Sequence, residues 1–104
     1  VAFAEVQLLL EQTCTVARCH SRESLAGHLD LSAQRSYGNL VGKPSAQKSA
    51  AQLVTPFQPL RSYLLDKLRG AEGILGARMP IGREPLADEQ ELLVEQWISS
   101  GARP

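Results

Sequence analysis

The residues with the most distinctive chemistry are Cys14, Cys19, His20, His28 and Met79, which are all the cysteines, histidines and methionine of the chain. The run Cys14-Thr-Val-Ala-Arg-Cys19-His20 puts four residues between the thiols and a histidine directly after the second. Three chemistries use such a run. A disulfide between Cys14 and Cys19 is sterically open in an oxidising compartment. A zinc site of Cys14, Cys19, His20 and His28 has the right ligand count, although adjacent Cys and His ligands are awkward around one tetrahedral ion and Met79 is then unexplained. The third is covalent haem attachment, whose signature is C-x-x-C-H. There the histidine must reach the iron while the cysteine before it bonds a vinyl group at the ring edge. Cys19-His20 keeps that adjacency, and the longer loop before it can bulge outward while still returning Cys14 to the other vinyl.

The elements that must position these residues read as helices. Phe3, Val6, Leu9, Leu10 and Thr13 recur at helical spacing and predict a helix over residues 3–13. Residues 14–31 carry the Cys and His residues with little periodicity and read as a loop. A second helix is expected over 32–41, with Ser32 as N-cap, Gly38 inside it, and Gly42 and Pro44 as stops. Residues 43–58 read as loop with a turn of helix near Ala46–Leu53. A third helix is expected over 59–69, with Pro59 in its first turn, Leu60, Leu64, Leu65 and Leu68 on one face, and Gly70 as its end. Residues 70–86 hold Gly70, Gly73, Gly76, Gly82, Pro80 and Pro85 and form a second loop, which carries Met79. The clearest helix spans 88–100: Asp88 with Glu91 makes a capping-box-like start, Leu93 pairs with Trp97 and Val94 with Ile98, and Gly101 closes it. No sustained period-two run predicts a strand, and the chain reads as one all-α domain over residues 1–104.

Composition narrows the function classes. Lys plus Arg and Asp plus Glu are 11 each, a formal net charge of zero, which argues against a nucleic-acid binder that neutralises phosphates. No apolar run approaches the ~18 residues of a membrane-spanning helix. At 43% hydrophobic the chain is ordinary for a globular domain. It has only five aromatic residues, Phe3, Tyr37, Phe57, Tyr63 and Trp97, and a domain this small gains from a staple or cofactor. It begins Val-Ala-Phe-Ala-Glu, with neither Met nor a leader, which reads as a processed chain or a domain cut from a longer one.

Beyond the Cys-His run, several pieces stand in a telling order. They are Gly27-His28-Leu29-Asp30-Leu31-Ser32, Pro59-Leu60-Arg61-Ser62-Tyr63-Leu64, Arg78-Met79-Pro80, Leu86-Ala87-Asp88-Glu89 and Trp97-Ile98-Ser99-Ser100-Gly101-Ala102. In this the sequence resembles the small cytochrome c domains of planctomycete and myxobacterial proteins, over nearly its whole length. It departs from their pattern in the four-residue gap between the cysteines and in Ala87, where a serine cap is usual.

The resemblance implies a cytochrome c-like fold, about four helices around one covalently bound haem c, with the terminal helices packed together. It implies thioethers at Cys14 and Cys19, and His20 and Met79 as proximal and distal axial ligands of the iron. Imidazole and thioether both suit haem iron, and two strong axial ligands leave no open position. The expected function is therefore one-electron transfer rather than enzymatic catalysis, with a redox protein or fused redox module as partner. The alternative is a haem-based sensor in which the distal Met79 is displaced by a diatomic gas. Attachment of this kind implies a periplasmic or otherwise extracytoplasmic location. Arg35, Arg61 and Arg78 are candidate partners for haem propionates, because guanidinium pairs well with carboxylate. Trp97 reads first as a core anchor where the terminal helices cross, with a propionate contact as its secondary role. His28 lies only eight positions after His20, too near to reach the opposite haem face readily. The acidic run Asp88 to Glu91 reads as a complement to the helix dipole.

Overall fold

The computed structural model describes residues 2–14, 29–32, 35–45, 50–74, 78–80 and 85–104. Among these the chain forms four helices and no strand, as an all-α reading expects. They are α1 (Phe3–Thr13), α2 (Ser36–Leu40), α3 (Tyr63–Arg69) and α4 (Asp88–Ser99), with a 3-10 turn at Pro59–Arg61 ahead of α3. No helix among the described residues is long and apolar enough to cross a membrane.

α1 buries Val6, Leu9 and Leu10 on the face that the spacing predicts. Its N-cap, Ala2, has no side-chain acceptor to offer, and Glu5 compensates by accepting the Ala2 N–H at 3.1 Å. α4 starts in the same way. The expected cap, Asp88, is instead the first helical residue, and Ala87 holds the cap position. Gln90, three residues on, accepts the Ala87 N–H at 2.8 Å. The reciprocal half of a capping box is missing in both helices, because alanine cannot accept from the third residue.

α2 is shorter than the expected 32–41 helix. Ser32 takes its own N–H back to Asp30 Oδ1 at 2.9 Å, a local turn that competes with helix. Its hydroxyl is buried without a hydrogen-bond partner, so it makes no cap bond. Its carbonyl does accept the N–H groups of Arg35 and Ser36, at 3.0 and 2.9 Å, which feeds the chain into α2.

The turn of helix expected near Ala46–Leu53 lies partly outside the described residues, and residues 50–53 are not helical. Their neighbours already use the backbone groups that a helix would need. Leu53 N–H donates to Lys43 O at 2.7 Å and Val54 N–H to Leu40 O at 3.1 Å. On the other side, Tyr63 and Leu64 N–H donate to Gln52 and Leu53 carbonyls, each at 2.9 Å. The segment is thus stitched between the end of α2 and the start of α3.

The expected 59–69 helix is broken at Ser62, whose backbone is extended. Ser62 is fully buried, and its hydroxyl donates to Gln58 O at 3.0 Å while accepting Thr55 N–H at 2.9 Å. That break resets the helical phase. Leu64, Leu65 and Leu68 reach the core as predicted, but Leu60 is 84% exposed. Gly70, with φ +66°, ends α3 as expected.

The core gathers Val6, Leu9, Leu10, Leu31, Leu40, Val54, Leu64, Leu65, Leu68, Leu86, Val94, Trp97, Ile98 and Ala102. The terminal helices α1 and α4 pack against each other, and α3 packs on α4. Trp97 is fully buried at that junction. Its ring lies 5.1 Å from Phe3 of α1 and 6.4 Å from Tyr37 of α2, and Phe3 meets Tyr37 edge-on at 5.2 Å.

Two stability measurements check this account. Ala87→Ser supplies the missing acceptor and should raise unfolding free energy by about 1 kcal/mol, the worth of an N-cap, in chemical denaturation. Trp97→Ala removes the junction and should lower it by roughly 3–5 kcal/mol.

Candidate functional site

Of the residues singled out for chemistry, Cys14, Met79, Arg35, Arg61, Arg78 and Trp97 are described, while Cys19, His20 and His28 lie outside the described residues. Cys14 is the C-cap of α1, and its N–H closes the helix on Leu10 O at 2.7 Å. Its thiol lies 3.3 Å from the Thr13 hydroxyl, which itself donates to Leu9 O at 2.7 Å. The side chain is partly buried against the core cluster. Cys14 thus stands at the end of α1 and at the margin of the apolar core.

Met79 is partly buried against the same cluster. It is not on a helix; its position comes from the end of α3. Met79 N–H donates to Lys67 O at 3.0 Å, and Arg78 Nε donates to Leu68 O at 2.8 Å. Carbonyls in the last turn of a helix have no intrahelical donor, so the Arg78-Met79 pair caps α3 from outside. Gly70 makes room for this. A Cβ there would stand 2.9 Å from Arg78 Cδ. Arg78 also reaches Glu91 of α4, with Nη2 3.1 Å from Oε1. Arg69 approaches the other Glu91 oxygen at 3.7 Å and Glu95 at 3.4 Å. Glu91 is thus more than a dipole complement: it joins α4 to both the end of α3 and the Met79 loop. Its spacing from Glu95, one helical turn, is the signal from which this face could have been anticipated.

The three candidate arginines differ. Arg78 has two of its donors committed within the chain. Arg35, at the N-cap of α2, and Arg61 are exposed. Arg61 borders an open surface groove of about 420 Å³ with Gln52, Leu60, Tyr63 and Asp66. Trp97 acts as the core anchor. Its indole N–H, the group that could have met a propionate, donates to Arg103 O at 2.8 Å. The end of α4 is tied down around it: Ala102 N–H returns to Trp97 O at 2.9 Å, and Tyr37 hydroxyl donates to Ala102 O at 2.8 Å.

Of the four residues expected to hold a haem, the two that are described, Cys14 and Met79, each bring the sulfur that a thioether tether and a thioether ligand would need. Two soft sulfur groups, on Cys14 and Met79, stand half-sheltered at the edge of one apolar core, on different loops. The chain matches no protein-family model, no curated protein and no solved structure.

Lys67 was not anticipated from the sequence. Its side chain is nearly buried, and that burial pulls its pKa below the ordinary 10.5. At pH below the lowered value both folded and unfolded chains carry the proton, and folding bears the full desolvation cost. Between that value and 10.5 the unfolded chain binds more protons, so stability rises with pH. Urea denaturation of wild type and Lys67→Met should accordingly show wild type gaining on the variant as pH climbs toward 10.5. A constant difference would mean that Lys67 is not desolvated.

Proposed function

We propose that this chain is a c-type cytochrome domain that carries single electrons, with one haem bound through Cys14 and Cys19 and ligated by His20 and Met79. The observation that carries the reading is Met79: the sole methionine, half-buried against the core that Cys14 also borders, on a loop bonded to the end of α3. Core filling is the common use of a methionine, but Met79 stands in a loop rather than on an apolar helix face. The haem, when bound, supplies a reversible one-electron iron couple.

The chain's own residues would do the rest. Cys14 and Cys19 would tether the haem, and His20 and Met79 would ligate its iron; with both strong ligands in place no position would remain for substrate, which favours electron transfer over catalysis. A thioether favours the reduced metal relative to a second imidazole and so raises the potential. The leucine and valine core against which Cys14 and Met79 are partly buried would keep water from that side of the haem. The location is extracytoplasmic, and the partner is another redox protein or module.

The decisive measurement is the intact mass of protein expressed in cells competent for haem attachment. It should exceed the polypeptide by one haem, and the colour should survive acid-acetone extraction. A mass equal to the bare chain sinks the reading. Met79→Ala should abolish the weak sulfur-to-iron charge-transfer band and let the reduced protein bind carbon monoxide, which wild type should not do appreciably. Met79→His should remain low-spin with a lower potential.

A further inference from the structure

Met79 lies in a segment with four glycines and two prolines between residues 70 and 86. Glycine offers the backbone many conformations, yet a metal-binding side chain must be held within about 0.5 Å of its working geometry. A thioether is neutral, so charge cannot hold it in place. The hold must come from the residues on either side and from the backbone of Met79 itself.

The structure supplies one such hold, and it centres on Arg78. Its Nε meets the Leu68 carbonyl at 2.8 Å and its Nη2 the Glu91 carboxylate at 3.1 Å. Its stem crosses Gly70 where any Cβ would intrude. The guanidinium sits at the C-terminus of α3, the negative end of the helix, where a cation is favoured. The next residue is Met79, whose N–H is fixed on Lys67 O at 3.0 Å. Three bonds therefore clamp two consecutive residues to the end of α3 and the flank of α4. We propose that Arg78 is a positioning residue: through Leu68 and Glu91 it sets the direction in which Met79 presents its sulfur. This rests on the haem reading above for what the sulfur is presented to, and it gives Arg78 a different task from pairing with a propionate.

The test uses the purified holoprotein and three variants, Arg78→Ala, Arg78→Lys and Glu91→Gln, with Glu95→Gln as control. Two readouts are taken: hydrogen exchange at the Met79 amide, and the sulfur-to-iron charge-transfer band with carbon monoxide binding. Arg78→Ala should speed exchange at Met79 by at least about tenfold, as local opening becomes easier. It should also weaken the band and admit carbon monoxide. Arg78→Lys and Glu91→Gln should fall between it and wild type, and they carry the test if Arg78→Ala fails to fold. Glu95→Gln loosens Arg69 but does not touch Arg78, and should change neither readout. Unaltered exchange and an unaltered band in Arg78→Ala would overturn the proposal. So would a shifted reduction potential with the band intact, which is the behaviour of a propionate partner. A wild type without the band would overturn the haem reading and the ligand half of this proposal, while exchange would still decide whether Arg78 holds Met79.

Discussion

Everything between the two terminal helices hangs on the burial of Trp97. α1 and α4 come from opposite ends of the chain, and the described residues between them hold two short helices, α2 and α3, and a 3-10 turn. Bringing them together has an entropic cost that grows slowly with the length closed. A large aromatic ring stabilises such a junction through its area and its edge contacts, and Trp97 meets Phe3 from α1 and Tyr37 from α2. Its one polar atom does not weaken the core, because the indole N–H is satisfied by Arg103 O. The same few residues then lock the chain end, with Tyr37 bonded to Ala102 and Ala102 to Trp97. Gly101, at φ +113°, permits the reversal, and Phe57 packs where its side chain would have been.

From that junction the rest is built outward. α4 presents one buried face, Val94, Trp97 and Ile98, to α1 and the core. Its flank presents Glu91 and Glu95 to Arg69 and Arg78. Partly exposed ion pairs are individually worth little. Here their value is geometric, because the Arg78 guanidinium is also bonded to a helix-end carbonyl that has no intrahelical donor. A weak pair coupled to a directional hydrogen bond specifies a position more sharply than either alone.

The sequence was most legible where one physical rule acts without competition. α1 and α4 follow their apolar spacing, and Gly70 and Gly101 end helices where a left-handed residue is needed. Legibility failed wherever a small polar side chain turned back on its own backbone. Ser32 was read as a cap, but its N–H folds onto Asp30. Ser62 was read as helix interior, but its hydroxyl ties Gln58 to Thr55 and throws Leu60 out to solvent. Alanine at both N-caps hid the true start of α4 by one residue, since the acceptor that marks a cap is absent. The pairing of residues 52–54 with the ends of α2 and α3 is non-local and leaves no periodic trace. For the site, Met79 was singled out by the resemblance to cytochrome c domains together with its place in a glycine-rich loop. The structure adds its shelter against the core and its bond to Lys67 O.

The division of labour between helices and loops follows from these constraints. Apolar helix faces are consumed in closing the core, and a domain this small has little helical surface to spare for chemistry. Of the distinctive side chains, the two that are described stand accordingly off the apolar helix faces, Cys14 at the end of α1 and Met79 between α3 and α4. A loop offers placement without burying a polar backbone, but it surrenders rigidity. Rigidity must then be returned from the scaffold, and the carbonyls at the end of α3 are suited to it because they are strong acceptors left over by helix formation. The two carbonyls that bind Arg78 and Met79 belong to consecutive residues, Leu68 and Lys67, so the loop is gripped in register. On the proposed reading this is what an electron carrier requires. A ligand residue whose own N–H is bonded to a helix end, beside an arginine bonded to the next carbonyl, moves little when the metal changes charge.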